Sequence, residues 1–315
     1  MNLVILDGYT LNPGDNPWDD LGRLGDLTVY DRTAEPLIIE RARSADVALT
    51  NKTPLPAATL AALPALRFIS VLATGYNIVD VIAARQRDIP VSNVPEYGTD
   101  SVAQHVFALL LELCHRVAEH SAAVHAGEWA ASPDFCFWKA PPIELAGLTM
   151  GIIGFGRIGR RVAVLANAFR MHVIAAGLGA ALAYEVPQMS VEEVFARSDV
   201  VSLHCPLSAD NAGFVNRDLL RRMQSTAFFI NTARGGLVDE AALAAALNAG
   251  ELAGAAVDVV SVEPIGPDNP LLGASHCIIT PHMAWGSLAA RRRLMAETVR
   301  NVTAFLSGRS INLVN

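Results

Sequence analysis

Short apolar, β-branched runs alternate along most of this chain with stretches whose apolar positions recur every three or four residues. Residues 3–6, 27–30, 47–50, 68–71 and 89–91 read as strands, and 35–42 and 57–63 between them as helices. Strands separated by helices pair in parallel through crossovers, so the first hundred residues predict a small parallel α/β unit. After the turn Asn93-Val-Pro-Glu-Tyr-Gly98, residues 99–116 read as a long helix capped by Thr99 or Asp100, apolar enough to be expected between domains or subunits. Residues 127–145 carry Trp129, Phe135, Phe137, Trp138, Pro141 and Pro142 without a clear period, and read as an extended arm whose aromatics need a partner surface. From Gly147 the alternation resumes, with strands expected at 171–176, 200–204, 227–231, 254–259 and 277–280. Ser190 with Glu193 makes a capping box, Asp239 caps a helix over 240–247, and a last helix over 287–306 precedes 311–314, expected to return to the first unit. One domain is then split around the other, with two hinges and a cleft.

Within the second half, the apolar run at 149–153 breaks into Gly154-Phe-Gly156-Arg-Ile-Gly159 and continues as an amphipathic pattern. The order is strand, glycine turn, helix. There the first glycine permits the tight turn, the second lets backbone approach a pyrophosphate, and the third lets the helix pack on the strand. Free N–H groups at the helix start then bind phosphate. With 23 glycines in 315 residues, three spaced glycines also arise by chance. The flanking strand and helix are what select the dinucleotide reading.

Length alone implies two domains. A hydrophobic fraction of 52% with 17% charged residues implies a large interior, and 24 basic against 31 acidic residues, without a basic block, argue against a nucleic-acid or anionic-membrane partner. The basic triplet Arg291-Arg-Arg293 reads as a solvated helical face. Cys114, Cys136, Cys205 and Cys277 are scattered, with no Cys-x-x-Cys and no zinc-like His spacing, so no metal is expected and a reduced cytoplasmic setting fits. The first residues lack a positive leader and read as a strand, and no stretch has the apolar length of a membrane span.

Three side chains stand at or just after predicted strand ends: Arg234, Glu263 and His282. Open α/β sheets place ligands at the carboxyl ends of their strands, so the three can converge on one end of a cofactor. Arginine offers a planar fork for a carboxylate, and histidine exchanges a proton near neutrality when a carboxylate fixes its tautomer. Taken singly, each has a plainer explanation: a surface ion pair, a Glu-Pro turn, a strand-end cap. Their order along one sheet edge behind a dinucleotide turn favours chemistry.

These motifs, with Val71-Leu-Ala-Thr-Gly-Tyr-Asn-Ile-Val-Asp80, Gly98-Thr-Asp-Ser-Val-Ala-Gln-His-Val-Phe-Ala-Leu-Leu-Leu111, Ser202-Leu-His-Cys-Pro-Leu207, 231–239 and Thr280-Pro-His282, give a chain that resembles the D-isomer-specific 2-hydroxyacid dehydrogenases over nearly its whole length. Asp7-Gly-Tyr-Thr-Leu-Asn-Pro-Gly-Asp15 and Ser132-Pro-Asp-Phe-Cys-Phe-Trp138 resemble the glycerate dehydrogenase or hydroxypyruvate (glyoxylate) reductase branch. The resemblance implies an α/β fold of two Rossmann-like parallel-sheet domains, a dinucleotide-binding domain at 99–287 inserted in a split flavodoxin-like substrate domain at 1–98 and 288–315. It implies a small 2-keto acid whose carboxylate meets the amides of Ala73, Thr74 and Gly75 and the guanidinium of Arg234, with His282 as proton donor held by Glu263. For Ala73, Thr74 and Gly75 an ordinary strand-to-helix turn is the other reading. Cofactor contacts are implied for Gly154, Gly156, Arg157, Ile158, Gly159, Gly177, His204, Pro206, Thr232, Ala233, Asp258, His282 and Ala284. For Asp258 a structural cap, and for Pro206 a packing role, are equally open. A two-fold homodimer built by the nucleotide domain is expected. Trp138 or Phe137 either reaches the partner's substrate cleft or is only buried at the interface.

One position departs from the pattern. The acid that selects NAD, about 20 residues beyond such a turn, is here Gly177, followed by Leu178-Gly-Ala-Ala-Leu. Its absence relieves repulsion against a 2′-phosphate, yet no Lys or Arg follows until Arg197, and Arg157 inside the turn is the nearest other donor. NAD and NADP both stay open. So does an alternative of another class: a nicotinamide-nucleotide-sensing regulatory or scaffold protein on the same fold, against which Arg234, Glu263 and His282 together count.

Overall fold

The computed structural model describes residues 1–177 and 186–315. It divides into two compact units, Met1–Gly98 with Trp285–Asn315, and Thr99–Ala284. Residues 285–287, expected with the dinucleotide domain, fall in the first unit, where Trp285 packs edge-on to Tyr97 with ring centroids 6.1 Å apart.

The first unit holds strands β1 (Asn2–Ile5), β2 (Asp26–Val29), β3 (Val47–Thr50), β4 (Phe68–Val71) and β5 (Val91–Ser92), all parallel in the order β2-β1-β3-β4-β5. That is the flavodoxin-like order. β3 and β4 are buried at every position, as a parallel sheet covered on both faces requires. Ile38, Leu60, Ile69 and Val91 pack in the core on one face, and Leu49, Phe68, Leu294 and Val302 on the other. The helix Leu288–Leu306 supplies the second layer, capped by Ser287 and anchored by a Phe68–Phe305 stack at 4.5 Å. The stretch at 311–314 rejoins the sheet edge through an antiparallel bridge between Ser92 and Leu313.

Two expectations change here. The helix expected at 35–42 is a 3₁₀ turn, Glu35–Leu37, followed by the short helix Ile38–Ala42. Arg291 is no solvated face: it is 8% exposed, and its guanidinium grips Asp15 at 2.5 and 2.7 Å while donating to the carbonyls of Leu11 and Gly286. Only Arg292 and Arg293 of the triplet face outward.

The second unit holds β6 (Thr149–Ile153), β7 (His172–Ala176), β8 (Val200–Leu203), β9 (Phe228–Asn231), β10 (Gly254–Val257) and β11 (Cys277–Ile279), parallel in the order β11-β10-β9-β8-β6-β7. A parallel bridge from Ala175 to Gln188 adds a rudimentary strand outside β7. With it the order is that of a Rossmann sheet, whose topological switch lies between β6 and β8. The helix Thr99–His115 buries Val106, Phe107, Leu110 and Leu113 against the helix Arg157–Ala168 and the sheet, with Phe107 stacked on Phe169 at 5.1 Å. Its apolar residues pack on elements of its own unit.

A helix, Val117–His125, precedes the aromatic arm and has no apolar stripe. Val117 and Val124 are 62% and 40% exposed and only Ala123 is buried, so periodicity could not mark it. Among the described residues, no helix is long and apolar enough to cross a membrane.

Candidate active site

At the switch point, β6 ends and the chain turns at Gly154 with φ +93°, a conformation L side chains rarely adopt. A Cβ there would stand 2.6 Å from the Cys205 nitrogen, so the turn lies directly on the exit of β8. A Cβ on Gly159 would stand 2.3 Å from the Gly154 carbonyl oxygen, which explains why the helix Arg157–Ala168 can start against its strand. Gly156 caps that helix without a side-chain hydrogen bond, and nothing lies within 4 Å of where its Cβ would be. Among the described residues the space beside Gly156 is thus open at the positive end of a helix, where an anion is favoured.

The neighbouring strand ends fit the same group. The Thr232 hydroxyl, beyond β9, is buried and has no hydrogen-bond partner among the described residues. A buried unpartnered hydroxyl is costly, and a ligand on this edge would satisfy it. His204, beyond β8, has Nε2 2.9 Å from the Ser202 hydroxyl. Burial drives its pKa down to about 3, so it is neutral. The Pro206 carbonyl accepts from Asn211 at 2.8 Å. Gly177, directly after β7, has φ +106°, and residues 178–182 of the cofactor-selectivity reading lie outside the described residues. These residues suit a dinucleotide whose pyrophosphate takes the helix start.

Further along the sheet edge, the structure joins two of the three candidate catalytic residues. His282 Nδ1 lies 2.6 Å from Glu263 Oε2, with the side chains 27% and 33% exposed. Nε2 is left to exchange a proton with a bound molecule. Glu263 is held from behind by the Val260 amide, which donates to Oε1 at 3.3 Å. Arg234 is exposed, and its guanidinium turns back to donate to the Ala233 carbonyl at 2.7 Å. Its turn reaches this neighbourhood because Gly235 has no side chain: a Cβ there would fall 1.9 Å from the Val260 carbonyl carbon.

The segment carrying His282 hangs on Asp258, which is 1% exposed at the end of β10. Its carboxylate accepts from Thr280 Oγ1 at 2.5 Å and from the amides of Met283 and Ala284 at 2.9 and 2.8 Å, and its carbonyl accepts the His282 amide at 2.8 Å. Burial pushes its pKa up, but the donors from His105, Thr280, Ala284 and Met283 outweigh burial and hold it below the usual carboxylate range. The cap reading of Asp258 describes all of these contacts.

In the first unit, the turn after β4 presents Ala73, Thr74 and Gly75. Val94 N and Asn93 Nδ2 take the carbonyls of Ala73 and Thr74, and the Thr74 hydroxyl bonds Val94. Within this unit, the amides of the three residues have no acceptor. The geometry is that of an anion-receptive turn.

Comparison with known proteins decides the class. Residues 107–284 match the family described as D-isomer specific 2-hydroxyacid dehydrogenase, NAD binding domain. The whole chain is 48% identical over 326 aligned positions to all of a hydroxypyruvate reductase of Blautia hydrogenotrophica. The chain belongs to the D-isomer specific 2-hydroxyacid dehydrogenases. A glycerate dehydrogenase of Methylorubrum extorquens is 40% identical, over 90% of each chain. Among solved structures, the NADPH-dependent glyoxylate/hydroxypyruvate reductase of Sinorhizobium meliloti, in complex with NADP and malonate, superposes with TM-score 0.85 at 26% identity, over 99% of this chain and 96% of that one. This dehydrogenase is thus an NAD(P)-dependent oxidoreductase of small 2-keto and D-2-hydroxy acids, and the relatives give the sensing alternative no support. Among the described residues, no His, Cys, Asp and Glu group could hold a metal ion.

Sequence reasoning passed over residues that shape the site. Asn231, fully buried at the end of β9, donates to the Arg234 carbonyl and accepts from the Ala233 amide, and so fixes the turn that carries Thr232 to Arg234. A polar residue closing an otherwise apolar strand was the available signal. Ser101 and His105 were similarly visible as polar positions four apart in an apolar helix.

Proposed function

We propose that this dehydrogenase reduces hydroxypyruvate or glyoxylate to D-glycerate or glycolate. The observation that carries this reading is the 2.6 Å contact between His282 and Glu263 on the sheet edge that also carries the glycine turn. The relatives' names support the substrate class. Gly154, Gly156, Arg157, Ile158 and Gly159 would hold the dinucleotide's phosphates, with Gly177, His204, Pro206, Thr232, Ala233, Asp258 and Ala284 along its length. When bound, the nicotinamide supplies the hydride that reaches the keto carbon.

The protein's own part is binding and proton delivery. In the second unit the fork of Arg234 is the candidate ligand for the substrate carboxylate, and in the first unit the amides of Ala73, Thr74 and Gly75 are the candidate carboxylate ligands. As negative charge grows on the keto oxygen, His282 Nε2–H gives it a proton, and Glu263 keeps the opposite ring nitrogen protonated and the ring aimed. In the oxidative direction His282 accepts the hydroxyl proton instead.

A homodimer belongs to the same proposal, supported by the arm side chains Trp129, Phe135 and Trp138, which are 51%, 89% and 60% exposed. Monomeric elution at micromolar concentration would remove that part. A cytoplasmic setting is supported by four free thiols. The direct test mixes the protein with NADH or NADPH and a panel of glyoxylate, hydroxypyruvate, pyruvate and larger 2-keto acids, following absorbance of the reduced cofactor. Consumption with the two smallest hydroxylated or unsubstituted acids is expected. Failure of both, with a larger acid consumed, would overturn the substrate assignment.

A further inference from the structure

Two polar side chains interrupt the apolar helix Thr99–His115, and both meet the loop that carries His282. Ser101 and His105 are four residues apart and so share a helix face. The Ser101 hydroxyl donates to the Ala284 carbonyl at 2.7 Å. His105, with a side chain only 16% exposed, places Nε2 3.1 Å from Thr280 Oγ1 and 3.5 Å from Asp258 Oδ1. Thr280 directs its single hydroxyl hydrogen to Asp258, so toward His105 that oxygen can only accept, and His105 Nε2 must be the donor. The order of donation is fixed: His105 to Thr280, Thr280 to Asp258. The same carboxylate then receives the amides of Met283 and Ala284, on the two residues following His282.

What this chain holds is a backbone that would not hold itself. His282 has φ +51°, a left-handed conformation unfavourable for a non-glycine residue, and such residues persist only where their surroundings over-determine them. The Glu263 contact aims the imidazole within its rotamer but does not fix the peptide planes on either side of it. The Asp258 carboxylate does, and His105 and Thr280 orient that carboxylate.

We propose that His105 is a positioning residue for the proton donor, acting through the Thr280 hydroxyl and the Asp258 carboxylate to hold the backbone of residues 280–284. The role rests on His282 being the proton donor. His105 itself touches neither substrate nor cofactor in this scheme. Its imidazole serves as a rigid N–H carried by a long helix.

The test compares His105→Leu, His105→Gln and Thr280→Val with the wild-type protein. Leucine removes the donor, glutamine restores an N–H at a similar reach, and valine deletes the threonine hydroxyl at constant shape. Misplacing a catalytic group by a fraction of an ångström to an ångström slows turnover by about 10- to 100-fold, so His105→Leu and Thr280→Val are expected to lose kcat on that scale, with KM for hydroxypyruvate changed by less than about threefold. His105→Gln is expected to recover most of the loss. Amide hydrogen exchange, followed by mass spectrometry on the protein without cofactor, supplies a second readout: peptides covering 280–286 should exchange faster in His105→Leu and Thr280→Val, with β6, β8 and β9 unchanged.

Unchanged turnover in His105→Leu, or unchanged exchange over 280–286, would overturn the proposal. So would His105→Gln as slow as His105→Leu, since the ring would then merely fill space. His282→Asn separates the two readings. If it retains turnover, His282 is not the donor; if it is inactive while both His105→Leu and Thr280→Val remain normal, only the positioning role falls.

Discussion

Replacing His282 by asparagine isolates the proton donor from its backbone. Alanine would be the usual choice, but His282 sits at φ +51°, where a residue with a Cβ and no local polar compensation costs roughly 1–2 kcal/mol. Asparagine visits that region readily, so the loop should keep its conformation. The three bonds from residues 282–284 to Asp258 are all donated by backbone amides and survive the substitution. Glu263 loses its imidazole partner, yet at 33% side-chain exposure water can solvate it, so folding should suffer little. What disappears is the proton transfer, worth about 100- to 10,000-fold, or about 3–5 kcal/mol of barrier at 1.36 kcal/mol per factor of ten. The expected result is a loss of kcat in that range for hydroxypyruvate or glyoxylate, with an unchanged thermal midpoint and unchanged quenching on binding NADH or NADPH. Turnover within about tenfold of wild type in a variant that melts normally would place the proton donor elsewhere, because general acid catalysis below that scale is not a main catalytic device.

Other perturbations test the remaining parts. Arg234→Lys keeps the charge and loses the planar fork, so KM for the keto acid should rise by more than about tenfold while cofactor binding stays, and an unchanged KM would deny Arg234 the carboxylate. Gly154→Ala forces a Cβ to 2.6 Å from the Cys205 nitrogen at φ +93°, so strain and overpacking together should lower stability by about 2–5 kcal/mol and weaken both cofactors, measured by thermal melts and fluorescence titration; a variant that melts and binds like wild type would contradict the tight turn. Hydrogen bonding to Arg291 holds the Asp15 carboxyl below its ordinary value, so the pair's contribution is present above about pH 4 and is lost as pH falls through the lowered folded-state titration. Arg291→Met should therefore melt lower at neutral pH and show a shallower loss of melting temperature below pH of about 4, and equal slopes in both proteins would rule this linkage out.

How far the chain could be read differs by physical cause. Both sheets were legible because parallel strands buried on two faces are continuous apolar runs, and β3, β4 and β8 occupy or nearly occupy the positions their composition marks. The glycine turn was legible because two of its three glycines answer to a local requirement: φ at Gly154, backbone approach at Gly159. Partnerships across long sequence separations were not. Nothing near Arg291 announces Asp15, 276 residues away, so a basic triplet looked like a wet helix face. Likewise the apolar helix Thr99–His115 carries no mark of the surface that covers it, and helix Arg157–Ala168 proved to be that surface. The His105, Thr280 and Asp258 chain spans three elements and becomes visible only when β10 and the 280–284 segment lie against the helix.

The missing acid at Gly177 shows how a backbone conformation limits what a side chain could restore. Read as composition, the position invites Gly177→Asp as a switch toward NAD, since an acid there bonds the ribose hydroxyls and repels a 2′-phosphate. Space is available: a Cβ on Gly177 would come no nearer than 3.5 Å to Gly154, an ordinary contact. The obstacle is φ +106°, outside even the left-handed well that aspartate tolerates. An aspartate must therefore either carry strain of about 1–3 kcal/mol or rotate the peptide that leads out of β7. In the first case the strain opposes any gain in binding; in the second the turn beside Gly154 moves. Gly177→Asp is thus expected to lower the melting temperature and to weaken NADPH through charge repulsion, while NADH affinity rises by less than about threefold, because the new acceptor is not pre-organised. A gain in NADH affinity of about tenfold or more without loss of stability would show that the turn after β7 accommodates an L residue as readily as glycine.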